Sequence, residues 1–100
     1  MSMDLKIISI ESNNVTEATN YKFLDYISLT TEKINDWYKL LDIDYTFLKE
    51  DGSELGAFNS YIYDKNKLIK FMEENKCELY NDILELIKET KYNYIIIQNF

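Results

Sequence analysis

From Glu78 to Thr90 the chain carries two opposed faces, and it then runs directly into the apolar segment Tyr92–Ile97. Leu79, Ile83 and Leu86, with Tyr80, Leu84 and Ile87 one step round, recur at the i, i+3/i+4, i+7 spacing of a helix laid on a core. Three consecutive isoleucines, Ile95 to Ile97, read as a strand inside a sheet rather than at its edge. A one-faced helix feeding a buried strand restricts the fold to a sheet with helices packed on it.

The other face of this helix carries Glu78, Asp82, Glu85 and Glu89. At roughly 1.5 Å rise per residue these four carboxylates form a row about 16 Å long. Like charges at i,i+4 each cost roughly 0.2–0.5 kcal/mol in an isolated helix. That penalty is small enough for an ordinary solvated face to carry. The same row is also the first candidate surface for a basic partner.

The remaining elements follow from periodicity and punctuation. Leu5 to Ile10 is a β-branched run that reads as a strand beside the last one, and Ser12 to Asn20 is polar and Asn-rich, as a loop would be. Tyr21 to Leu29 reads as a strand with weak alternation, with a helix as the alternative. Thr30 or Thr31 caps a helix with Glu32 in its first turn and Ile34, Trp37, Tyr38 and Leu41 on its apolar stripe, ending near Asp42.

Tyr45 to Glu50 and Glu54 to Phe58 flank Asp51-Gly52, a pair suited to a type I′ hairpin, and Gly56 suggests a bulge or a close backbone approach. Tyr61 to Tyr63 extends the second arm until Asp64 caps a helix from Lys65 to about Asn75, with Leu68, Ile69 and Met72 inward. This helix either breaks between Asn75 and Cys77 or continues to Thr90 as one rod, and length favours the break. The expected fold is therefore α+β: a single small domain spanning 1–100, with four to five mainly antiparallel strands and two to three helices packed on one face. The terminal strands are expected side by side near its centre.

Composition excludes several chemistries. There is no His, so the usual general base near neutral pH and the triads built on it are missing. The single Cys77 cannot form an internal disulfide, its neighbours Lys76 and Glu78 have opposite signs, and it reads as a small helix or turn residue. Zinc clusters cannot be assembled, EF-hand spacing is lacking around Asp42, Asp44, Glu50 and Asp51, and two glycines make no phosphate-cradling loop. No catalytic residue, cofactor or metal site is assigned, and the chain is not expected to be an enzyme. Carboxylates alone could in principle form a glycosidase pair, but an acidic chain is rich in them for other reasons.

The net charge is −7, and every one of the 11 cations is a lysine. That balance speaks against direct nucleic-acid binding, which rests on basic patches. No apolar run approaches the roughly 20 residues needed to cross a bilayer. Met1-Ser2-Met3-Asp4 lacks the features of a secretory signal, so a cytoplasmic location without membrane association is expected. Asn14-Val15-Thr16 is then a chance sequon.

A second acidic patch surrounds the hairpin: Asp42, Asp44, Glu50, Asp51 and Glu54, with Tyr45 close by. Nine tyrosines, five phenylalanines and a tryptophan exceed what a small core needs, and aromatic anchors inside a charged rim are how tight protein interfaces form. The expected function is a small acidic inhibitor of a basic protein. It would be an immunity protein neutralising a basic bacterial toxin, or a phage-encoded inhibitor of a defence nuclease. The alternative is a self-associating structural or scaffold subunit, a homodimer built through a sheet edge.

Overall fold

Described residues of the computed structural model are 3–11, 21–48 and 59–99. They form strand β1 (Met3–Ile10), β2 (Tyr21–Leu29), helix α1 (Thr31–Leu40), β3 (Thr46–Leu48), β4 (Asn59–Asp64), α2 (Lys65–Glu74), α3 (Glu78–Ile87) and β5 (Tyr94–Asn99). The five strands make one antiparallel sheet in the order β2-β1-β5-β4-β3. The α+β expectation holds, with the terminal strands β1 and β5 adjacent and β5 central.

Alternation along the strands divides the core in two. Leu5, Ile7, Ile95, Ile97 and Tyr63 face the three helices and join Trp37, Leu40, Leu68, Met72, Leu79, Ile83 and Ile87 in one buried cluster. Ile8, Ile10, Ile62 and Ile96 form a smaller cluster on the opposite sheet face. The isoleucine run Ile95 to Ile97 thus fills both faces of the central strand, each residue with no exposed surface. Across β4 and β5 on that second face, Gln98 Nε2 donates to Ser60 Oγ at 3.0 Å.

Each helix is bounded by recognisable chemistry. Asp64 Oδ1 accepts from the backbone N–H of Lys67, capping α2 as its sequence predicts. The Lys65–Thr90 stretch breaks at Asn75 to Cys77, so α2 and α3 are separate helices. Thr30 stands at the N-cap of α1 but makes no side-chain cap bond; its carbonyl accepts from Lys33 and Ile34 instead.

Several expectations are corrected. On α1 the buried residues are Trp37 and Leu40, while Tyr38 is 47% exposed, because α1 rests on the sheet and on α3 along a narrower stripe than its spacing suggests. Helix α3 ends at Ile87 rather than Thr90, since the Thr90 hydroxyl and backbone N–H both take the Ile87 carbonyl. The β3–β4 pair has Leu48 opposite Ser60, whereas a two-residue turn at Asp51-Gly52 sets Leu48 against Leu55. A tight I′ register therefore does not apply to the described strands, and the turn itself, with Gly56, lies outside the described residues. So does the Ser12 to Asn20 loop.

Two tyrosines fasten α1 from different sides. Tyr63 Oη on β4 donates to the Leu40 carbonyl, and Tyr80 Oη on α3 donates to the Asp36 carbonyl, both at 2.7 Å. Burial is the main reason that both phenols have pKa values raised above the ordinary value. The neighbouring Tyr45 adds to it for Tyr63, and Cys77 and Asp36 add to it for Tyr80. At the other end of the helical layer, Lys65 Nζ donates to the Thr90 carbonyl at 2.7 Å and Lys88 pairs with Glu73 at 3.8 Å.

Candidate functional site: an acidic groove beside an edge strand

Helix α3 packs on β1 and β2, so its polar face looks out over the edge of the sheet formed by β2. The predicted row does not act as one unit. Lys33, from α1, reaches into its N-terminal half, with Nζ 3.6 Å from Glu78 and 3.5 Å from Asp82. Sequence reading found no lysine within the row; this one arrives from 49 residues away through the packing of α1 against α3. Glu89 lies past the helix end, in the turn that follows Ile87. Glu85 and Glu89 are exposed, and no ion pair holds either among the described residues.

Between α3 and β2 lies a groove made of two adjoining clefts that share Leu86. The first, about 380 Å³, carries Asp25, Asp82 and Glu85 against the single cation Lys33. Because Lys33 is already shared by Glu78 and Asp82, this cleft is electronegative. The second, about 470 Å³, is balanced in charge, with Glu11 and Glu89 facing Lys22 and Lys91. Its lining includes Ser9, 1% exposed, whose hydroxyl has no hydrogen-bond partner.

Asp25 is the residue that sequence reading missed. It lies in β2 beside a bulge, where the register against β1 shifts between Ile7 and Ile8 so that Leu24 is extra. Its Oδ1 accepts the Tyr26 backbone N–H at 2.8 Å. On the opposite face of β2, Phe23 and Tyr26 are 47% and 53% exposed, with ring centroids 4.7 Å apart. Lys6 Nζ lies 5.6 Å and 6.0 Å from the two ring centres, within cation–π range. Which face of β2 carries Asp25 and which the exposed rings depends on the place of β2 in the sheet and on its bulge, neither of which is local in sequence.

The second predicted patch is partly visible. Asp42 and Asp44 are exposed, and Tyr45 is 39% exposed with its ring edge-on to Tyr61 at 5.0 Å. Asp44 and Tyr45 line a cleft of about 350 Å³ with Asp64, Lys67 and Tyr94, toward the β4 side of the sheet. Glu50, Asp51 and Glu54 lie outside the described residues. The described part of the second patch, Asp42, Asp44 and Tyr45, therefore lies apart from the cleft between α3 and β2.

Cys77 stands at the N-cap of α3, half-buried; burial raises its thiol pKa, and the nearby Asp36 carboxylate adds to this. Such a thiol is less reactive than an exposed one. Among the described residues no helix is long and apolar enough to cross a membrane, and no group of three or more potential ligands could hold a metal ion. No protein-family model, curated protein or solved structure matches this chain.

Lys33 divides stability from binding in a testable way. Replacing it with methionine leaves Glu78 and Asp82 uncompensated, and a loss of about 0.5–1 kcal/mol is expected, as for a partly exposed ion pair. Urea unfolding checks this. The loss should shrink in 1 M salt, where screening shortens the Debye length to about 3 Å.

Proposed function

We propose that this protein is a non-catalytic binding protein that neutralises a basic protein partner, acting as an inhibitor of the immunity-protein or anti-defence kind. The single observation that carries this reading is the electronegative cleft of Asp25, Asp82 and Glu85 beside β2, whose opposite face exposes the rings of Phe23 and Tyr26. Carboxylates there stand where substrate phosphates would meet a toxin or nuclease. Long-range attraction speeds the encounter, and aromatic contact then holds the complex. The chain's charge of −7 supports the same direction of steering.

Glu85 and Glu89 are the cleanest residues for a test, because changing them breaks no ion pair seen among the described residues. Glu85→Lys with Glu89→Lys is expected to weaken binding of the basic partner by about tenfold or more, since 1.4 kcal/mol corresponds to tenfold and two like-charge juxtapositions together reach at least that amount. Thermal unfolding should be nearly unchanged. The measurement is a titration of partner against both proteins at low and high salt. Equal affinity of the reversed and native proteins at low salt would defeat the electrostatic reading.

The alternative, a self-associating scaffold, draws on the edge position of β2. Two copies meeting at that edge would also bring their acidic α3 faces together, a like-charge approach that disfavours them.

A further inference from the structure

We propose that the second cleft, between the end of α3 and strands β1 and β2, binds a small zwitterion of the α-amino-acid class with an aliphatic side chain. This goes beyond the partner reading above and does not depend on it, since the electronegative cleft lies across Leu86.

Ser9 is the anchor of the site. It lies on β1 opposite Lys22 of β2 and Ile95 of β5. Ile95 belongs to the cluster beneath the helices, whereas Ile8 and Ile10 on either side of Ser9 belong to the other sheet face. Alternation therefore turns the Ser9 hydroxyl toward the helical layer and into the cleft that Ser9 lines. Ser9 is 1% exposed, and its Oγ finds no hydrogen-bond partner among the described residues. Buried hydroxyls nearly always have a partner, because one left unbonded loses its hydration and gains nothing in exchange. A ligand group in the cleft supplies the missing bond.

The walls define the class of ligand. Leu24 and Leu86, both half-buried, give the cleft an apolar side. Two cations, Lys22 and Lys91, and two anions, Glu11 and Glu89, stand around it, and no ion pair joins any of the four among the described residues. A plain anion would be drawn to the lysines and repelled by the carboxylates, and a plain cation would meet the reverse. A molecule carrying both charges is attracted by both sets. An α-amino acid holds its carboxylate and ammonium on one carbon, so an aliphatic one can lay its branch on the leucines while its charges face the rim. The Thr90 hydroxyl is already committed to the Ile87 carbonyl, which leaves Ser9 rather than Thr90 to donate to the ligand's carboxylate. The cleft's volume, about 470 Å³, falls within the range of small-molecule sites, about 300–1,000 Å³.

The test titrates the full chain, labelled with nitrogen-15, with L-leucine and with its two single-charge relatives near neutral pH. These are 4-methylpentanoate, which lacks the ammonium, and 3-methylbutylamine, which lacks the carboxylate. Leucine is expected to shift the amides of Ser9, Lys22, Leu24 and the stretch from Leu86 to Tyr92, with a dissociation constant at least about tenfold below that of either relative. Ser9→Ala should raise that constant about three- to tenfold, as for one lost hydrogen bond, yet leave the ligand-free protein no less stable in urea, because the hydroxyl removed is unbonded. Lys22→Glu, a change at an exposed side chain, should remove the preference for leucine over the amine. If 4-methylpentanoate or the amine binds as tightly as leucine, the zwitterion is overturned in favour of a site for a single charge. Leucine affinity unchanged by Ser9→Ala would overturn the anchoring role of that hydroxyl. Absence of shifts with all three compounds at about 50 mM would overturn the site and leave Ser9 to water alone.

Discussion

Ile97→Ala is expected to lower the free energy of unfolding by about 2–5 kcal/mol, which for a small domain is a large fraction of a total near 5–15 kcal/mol. Ile97 has no exposed surface, lies in the central strand between Ile7 of β1 and Tyr61 of β4, and belongs to the cluster beneath the helices. Truncation there loses the transfer free energy of the removed carbons and leaves a cavity that the packed sheet and helices resist closing. Ile96→Ala, one residue away on the opposite sheet face, should fall at the lower end of that range, because its cluster is smaller and freer to relax. Urea denaturation with an unchanged slope would measure both. A smaller loss for Ile97 than for Ile96 would contradict the division of the core into a major and a minor face.

Alkaline pH provides the second large effect. The unfolded phenol titrates at about 10, and burial holds the native Tyr63 and Tyr80 well above that value. Below pH 10 both states keep these protons and stability is whole. Above it the unfolded chain releases protons that the native state retains, so stability falls as pH rises toward the native values, by about 1.4 kcal/mol per pH unit for each phenol. Burial also raises the Tyr61 phenol, so with three such groups unfolding between about pH 10 and 12 is expected to be steep. Tyr63→Phe loses the bond to the Leu40 carbonyl, about 0.5–1.5 kcal/mol at neutral pH, yet should make the alkaline slope shallower. Denaturation curves from pH 7 to the alkaline limit would test this, and an unchanged slope in the variant would assign the alkaline loss to other groups.

The elements of the fold were largely legible because their signals are local. The apolar stripe of Leu79, Ile83 and Ile87, the capping carboxylate of Asp64, and the isoleucine run of β5 each reveal themselves within a few residues. Errors fell where a local signal competes with a distant partner. Asp51-Gly52 is a strong turn pair, but the β3–β4 register aligns Leu48 with Ser60, on a strand β4 that is itself paired along its length with β5. Thr90 continues the helical spacing in sequence, but its hydroxyl donates to the Ile87 carbonyl and the helix ends there.

The groove shows the same limit more sharply. The row of Glu78, Asp82, Glu85 and Glu89 followed from helical spacing alone, because every residue of a helix has a known angular place. What the row faces did not follow. Lys33 and Asp25 reach it only because α1 packs on α3 and β2 is, among the described residues, the outermost strand beside that helix.

By itself, then, the amino-acid order determined the helices, most strands, the α+β class and the acidic character of one helix face. Tertiary structure alone decided that this face borders β2, that one of its halves is neutralised by Lys33, and that Asp25 faces the other. The physical reason is range. Backbone periodicity is written in contacts a few residues apart, whereas a binding groove is made of groups brought together by the burial of a common core.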